Sequence, residues 1–296
     1  MSDITITSQE LIALIQNMGY GEQYLFFQRA AELSNLKLCQ ICLDAGLDIN
    51  MQESMYKQPL LVSLMSTPGT LTLNVVAWFI EHGYDINLAS AAGYTPLKYA
   101  CYHGNYTFAK YFIDNGAKIQ SGPNVQFFSD LHDAVSACET HEEGIKVVRL
   151  LLDSGAPLED TDNTSRNPFM RALQTKKHDV VELFLEKGAD PDVRIDGTTP
   201  IHTAVALNDI YTVRLLIKYN ADINAKARTY SGYLKTHYAI TPLDIAIHNE
   251  NIPMKDLLIR QGAKVSTKAE KIEAVLSYYK GDEGLTLMQK IMQLPE

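Results

Sequence analysis

The chain has 296 residues, 46% of them apolar and 21% charged, so it can bury a core and is not disordered by composition. With 35 acidic against 26 basic residues and a net charge of −9, it lacks the dense Lys and Arg that a duplex nucleic-acid surface requires. No apolar run approaches the roughly 18 residues of a membrane span, the start MSDITITSQELIALIQNMG has no basic n-region, and four cysteines make no disulfide scaffold and fit a reducing compartment.

From the N-terminus, Thr7 and Glu10 form a capping box ahead of LIALI, which predicts a helix over 8–18. Beyond it, one segment recurs seven times without a gap: LCQICLDAGLDIN (38–50), VVAWFIEHGYDIN (75–87), FAKYFIDNGAKIQ (108–120), VVRLLLDSGAPLE (147–159), VVELFLEKGADPD (180–192), TVRLLIKYNADIN (212–224) and MKDLLIRQGAKVS (254–266). The shared slot holds Gly46, Gly83, Gly116, Gly155, Gly188, Asn220 and Gly262, at spacings of 37, 33, 39, 33, 32 and 42. The base period is therefore about 33, with three expansions. Upstream of most copies lies a second element: QPLLVS (58–63), TPLKYA (95–100), SDLHDA (129–134), NPFMRA (167–172), TPIHTA (199–204) and TPLDIA (241–246), with LFFQRA (25–30) in the first.

Helix chemistry explains these slots. Thr can cap and Pro can open a helix, because the missing N–H of Pro would be unbonded there anyway. Ala100, Ala172, Ala204 and Ala246 let two helices approach closely. The V-V-x-L-L-L run gives an apolar face at helical spacing, and Gly or Asn after it suits a left-handed cap. One helix pair cannot bury both of its faces, so neighbours must stack.

The pattern resembles the ankyrin repeat, most plainly in TPIHTAVALNDIYTVRLLIKYNADIN (199–224), and the likeness covers residues 25–265. It implies an all-α repeat solenoid of stacked helix pairs with β-hairpin fingers. Residues 1–24 are expected to form an N-terminal helical cap, 25–265 seven repeats, and 266–296 a C-terminal helical cap. The C-terminal expectation rests on Ile272, Val275, Leu276 and Tyr279 along one helix side, then LTLMQKIMQL.

Candidate chemistry reads as structure. Cys39 and Cys42 form a CxxC, yet both fall in apolar repeat slots and no second pair exists for zinc. Cys101 occupies a small-residue slot, and Cys138 lies beside an expansion. His132 and His202 sit in the family's T-P-L-H slot, where the resemblance implies a structural hydrogen-bonder. His141 precedes two glutamates but lacks a second His four residues on. No phosphate loop or nucleophile elbow occurs. Neither a metal nor a cofactor is expected, and the repeats leave no segment for a catalytic domain. An enzymatic alternative would draw on Cys101, His103 and His132.

Family partners usually bind the first-helix surface and the finger tips. Residue by residue, the resemblance places Tyr94, Tyr102 and His103 of the third repeat there, with Phe128 of the fourth, Arg166 and Gln174 of the fifth, and His248 of the seventh. The expansions lie at 66–72, at 138–144 and between Asn224 and Thr241. The last, AKARTYSGYLKTHYAI (225–240), carries three bases and no acid. It predicts an extended β-finger with Ser231-Gly232 at its tip, presenting Arg228, Tyr230, Tyr233 and Lys235 on one face. The expected function is non-catalytic binding of a partner protein, one with an acidic surface at the finger, by a monomeric cytoplasmic chain. The alternatives are a bacterial effector delivered into host cytoplasm with a cryptic enzymatic activity, and a binder of an anionic ligand through the basic finger.

Overall fold

The computed structural model describes residues 6–66, 71–121, 128–138, 143–161, 167–231 and 236–264, with the side chains of 228–231 and 236–239 left aside. These residues fall into two compact units, 1–157 and 158–296. In the first, α1 (Ser8–Gln16) precedes four helix pairs: α2 (Tyr20–Glu32) with α3 (Leu36–Asp44), α4 (Leu60–Met65) with α5 (Leu73–Glu81), α6 (Pro96–Tyr102) with α7 (Tyr106–Asp114), and α8 (Asp130–Ala137) with α9 (Gly144–Asp153). The second holds α10 (Pro168–Gln174) with α11 (His178–Glu186), α12 (Pro200–Ala206) with α13 (Ile210–Lys218), the antiparallel strands β1 (Ala227–Ser231) and β2 (Thr236–Ile240), and α14 (Pro242–His248) with α15 (Ile252–Arg260). Within each unit the first helices of successive pairs pack side by side: α2, α4, α6 and α8 in the first, α10, α12 and α14 in the second. The fold class is the all-α repeat architecture that the resemblance implies.

Local chemistry sets the helix ends. The Thr7 hydroxyl accepts from the Glu10 N–H, and the Thr7 N–H donates to Glu10 Oε2 at 2.9 Å, closing the capping box read from the sequence. Thr95, Ser129, Asn167 and Thr241 cap first helices through their side chains, while Asn35, Asn105, Asp209 and Asn251 cap second helices. All seven slot residues have positive φ, from 64° at Asn220 to 92° at Gly46. That conformation suits Gly, and Asn is the side chain that tolerates it well. Ala100, Ala172, Ala204 and Ala246 are buried, as close helix approach requires.

Each unit has its own apolar core. Phe27 and Phe79 stack at 5.6 Å between ring centroids in the first unit, and Phe169 meets Phe184 at 5.9 Å in the second. Cys39 and Cys42 are fully buried in this core. Burial pushes their thiols up to about 11 and about 12, so they are small hydrophobes rather than a redox pair.

Two features differ from what the sequence implies. Helix α2 starts at Tyr20, so the expected boundary at residue 25 falls inside a helix. The finger's pairing differs too. Ser231 is not at a turn but pairs with Thr236, and Arg228 pairs with Ala239 and Tyr230 with His237. A tip at Ser231-Gly232 would have set those bases and tyrosines opposite Tyr233 and Lys235; the longer connection shifts the register. Arg166, Tyr233, Lys235 and the expected C-terminal cap at 266–296 lie outside the described residues.

Gly144, first residue of α9, has a steric reason for its identity. A Cβ there would lie 2.8 Å from the backbone N and Cα of Cys138. Gly144→Ala should therefore cost about 1–3 kcal/mol, the usual range for forced overpacking. Denaturant unfolding measures it, and an unchanged midpoint would contradict the close approach.

Candidate functional site

The site is assembled from two neighbouring loops and one helix of the first unit. Residues 52–59 form a tight finger: Gln52 bridges Pro59, and the Glu53 N–H donates to the Gln58 carbonyl at 2.9 Å. At its tip the Glu53 carboxylate accepts from the N–H groups of Met55 and Tyr56, both at 2.7 Å. These bonds hold that carboxyl below its ordinary range. The following loop, 90–94, closes through Ser90 N–H to Tyr94 carbonyl at 3.0 Å and turns at Gly93, φ 78°. The two loops are tied together, because the Ala91 N–H donates to the Tyr56 carbonyl at 3.1 Å and Gln52 Nε2 to the Ala89 carbonyl at 3.1 Å.

Helix α6 then rises from Thr95, whose hydroxyl caps it, with Pro96 at its first position. It presents Tyr99, Tyr102 and, at its C-cap, His103. Together with the two loops it lines an open groove of about 710 Å³, whose wall is Tyr56, Gln58, Val62, Ser90, Ala91, Ala92, Tyr94, Tyr99, Tyr102 and His103. His103 packs on Tyr99 at 4.4 Å between ring centroids and meets Tyr102 edge-on at 5.1 Å. Tyr56 is 66% exposed and Tyr102 49%. Such exposed aromatics on a fixed backbone supply large contact area at small entropic cost.

Tyr94, Tyr102 and His103, chosen by repeat register alone, are thus brought together in one groove. Phe128 is exposed at the start of the next repeat, 6.0 Å from His132 between ring centroids, and is not in the groove wall. Gln174 and His248 are exposed at the ends of α10 and α14 in the second unit. Register reasoning missed Tyr56, Gln58 and Tyr99: Tyr56 lies in the 52–59 finger, outside the recurring helix motif, whereas Gln58 and Tyr99 lie within the QPLLVS and TPLKYA copies of that motif, at slots the resemblance does not assign to the binding surface.

It also missed the charge cluster beneath. Lys98 occupies the slot that holds His132 and His202 in other repeats, yet it is only 3% exposed. Its ammonium lies 2.7 Å from Asp133 Oδ2 and 4.0 Å from Asp130 Oδ1, donates to the Phe128 carbonyl, and stands 6.0 Å from the centre of the Tyr94 ring. Asp130 Oδ2 accepts from the Gln120 N–H at 2.7 Å. The cluster therefore joins α6 to the start of α8. Its signal was the departure of SDLHDA from the T-P-L-H pattern: two acids appear one repeat after a base enters the matching slot.

The histidines behave as structural groups. His202 Nε2 bonds the Ile240 carbonyl at 3.0 Å, and its Nδ1 faces the Thr199 hydroxyl at 2.8 Å. Burial lowers its pKa, so it stays neutral at pH 7. His132 Nδ1 meets the Ser129 hydroxyl at 2.8 Å. Cys101 is fully buried, which raises its thiol well above the ordinary range and leaves it a poor nucleophile. Cys101 and His132 are absent from the groove wall, so the cysteine–histidine pairing considered from the sequence is not assembled there. Among the described residues, no cluster of three or more His, Cys, Asp or Glu could hold a metal, and no helix is long and apolar enough to cross a membrane.

A family model described as ankyrin repeats (3 copies) matches residues 27–122 and again 131–227, well over half of the chain. The chain belongs to the ankyrin-repeat family. An ankyrin repeat protein of Rickettsia felis is 30% identical over 197 residues, covering 60% of this chain and 69% of that one. A fowlpox virus ankyrin repeat protein is 30% identical over 185 residues, covering 52% of this chain. This chain spans 42% of the fowlpox protein's length. The crystal structure of the Bcl-3 ankyrin repeat domain matches the fold with a TM-score of 0.62 at 22% identity, over 79% of this chain and 97% of that one. Ankyrin repeats are in general protein–protein interaction modules, and the fold is typically a non-catalytic scaffold.

The buried cluster makes two predictions. Lys98→Met would strand both carboxylates and should cost about 3–5 kcal/mol. Thermal or denaturant unfolding checks this, and a cost under about 1 kcal/mol would contradict the pairing. The second concerns pH. Burial pushes the Asp130 carboxyl up to about 7, against the pull of the Gln120 N–H and Lys98. Between the unfolded value of 3.8 and about 7, the native state keeps a proton that the unfolded chain has lost. Asp130's contribution is therefore complete below that window and declines as pH rises through it. Asp130→Asn should gain stability relative to the parent as pH rises from about 5 to about 8. A difference independent of pH would contradict the shift.

Proposed function

We propose that this ankyrin-repeat chain is a non-catalytic module that holds a partner protein through the α6 surface of its first unit. The observation carrying this reading is the convergence of Tyr94, Tyr102 and His103 with Tyr56 and Tyr99 on one open groove. Its backbone frame is fixed by hydrogen bonds before any partner arrives, and such preorganisation lowers the ordering cost of binding. Phe128 lies beyond the groove in the next repeat and widens the same contact.

The finger of the second unit adds a separate contact. Residues 225–240 carry Lys226, Arg228 and Lys235 without an acid, and β1 and β2 hold the base of that finger in antiparallel register. This charge suits an acidic surface on the partner. Arg166 and Gln174 of the fifth repeat belong to the same proposed binding set. All four cysteines are free thiols, which suits the reducing cytoplasm we assign to the protein.

Affinity capture from a lysate, repeated with Tyr102→Ala and with residues 227–237 deleted, tests the reading. Tyr102→Ala should weaken capture by about 2 kcal/mol, near thirtyfold, with helical content intact. The deletion should weaken capture of the same partner and make it less sensitive to salt. Capture unchanged in both variants would overturn the proposal.

A further inference from the structure

The net charge of the chain is unevenly shared. Residues 1–157 hold sixteen acids against eight bases, a net charge of −8. Residues 158–296 hold nineteen against eighteen, a net charge of −1. The tyrosine-lined groove therefore sits in the unit that carries nearly all of the negative charge. No carboxylate, Lys or Arg side chain forms its wall.

Lys98, the buried cation beside the Tyr94 ring, is matched by Asp133 at 2.7 Å. Lys57 follows Tyr56 in the finger, and the Glu53 carboxylate lies at the same tip. The wall presents electron-rich ring faces in an acidic field. Tyrosine faces attract ammonium and guanidinium groups through the ring quadrupole. Phenol oxygens can accept the outward N–H groups that a stacked guanidinium still presents.

We propose that the groove of Tyr56, Tyr94, Tyr99 and Tyr102 binds an arginine-bearing extended segment of the partner protein. This rests on the protein-binding reading above and specifies the chemistry of its occupant. The unit's charge draws a basic segment toward the groove while repelling an acidic one. The first unit thus selects basic sequence, whereas the finger of the second carries the opposite charge.

The test uses the full chain and fluorescent synthetic peptides of alternating arginine and glycine, with lysine and glutamate counterparts. The arginine peptide should bind, the lysine peptide more weakly, and the glutamate peptide not at this groove. Tyr102→Ala and Tyr56→Ala should each weaken the arginine peptide by about tenfold. Tyr102→Phe, which keeps the ring face, should retain most of the affinity, and about 1 M salt should reduce it strongly. Three outcomes would overturn the inference: arginine-peptide affinity unmoved by either alanine variant, a Tyr102→Phe loss as large as Tyr102→Ala, or glutamate-peptide binding that Tyr102→Ala abolishes. If Tyr102→Ala abolishes partner capture while the arginine peptide never binds, the protein-binding reading stands and the charge assignment falls.

Discussion

A single helix pair of this chain has two apolar faces and can cover only one of them by itself. Burying the other against the next pair is the constraint from which the rest follows. It forces the first helices into rows, α2 beside α4, α6 and α8, then α10 beside α12 and α14. It demands alanines such as Ala100 and Ala204 where those helices touch. It also sends the intervening loops to one edge, where they need not be covered, and so sets Tyr56 and Tyr94 next to the open side of α6.

Stacking explains the polar groups at the seams too. His202 reaches from one repeat to the Ile240 carbonyl of the next, satisfying a buried backbone acceptor with a neutral donor. Lys98 does the same for the Phe128 carbonyl but brings a charge, and the charge requires Asp133 and Asp130. Burying three ionisable groups costs desolvation energy that a hydrophobic seam would avoid.

Local chemistry was legible in the sequence and distant pairing was not. The glycine slots, the Thr-Pro starts and the Thr7–Glu10 capping box are decided by backbone conformation within a few residues, so a single copy of each motif suffices to read them. Tyr94, Tyr102 and His103 were reached because their positions are fixed by register relative to α6. Tyr56 belongs to a finger whose shape depends on the Glu53 carboxylate and on Ala91 of the following loop, neither of which a periodic pattern marks. The burial of Lys98 is not marked by local sequence, because its two partners lie roughly thirty residues on, in a repeat that departs from the motif. The finger's register was misread because turn residues such as Ser231-Gly232 suggest a tip, while pairing of Ser231 with Thr236 is settled only by the strands.

Site-specific photo-crosslinking tests most directly whether the tyrosine groove receives a basic segment of a partner protein, with a photoreactive phenylalanine analogue placed at position 102 and, as a control, at exposed Ile252 of the second unit. A groove that does so gives a partner adduct at position 102 whose crosslinked peptide contains arginine or lysine in excess of acids. An adduct that maps to an acidic peptide, or a partner that is captured yet crosslinks only from position 252, would contradict it.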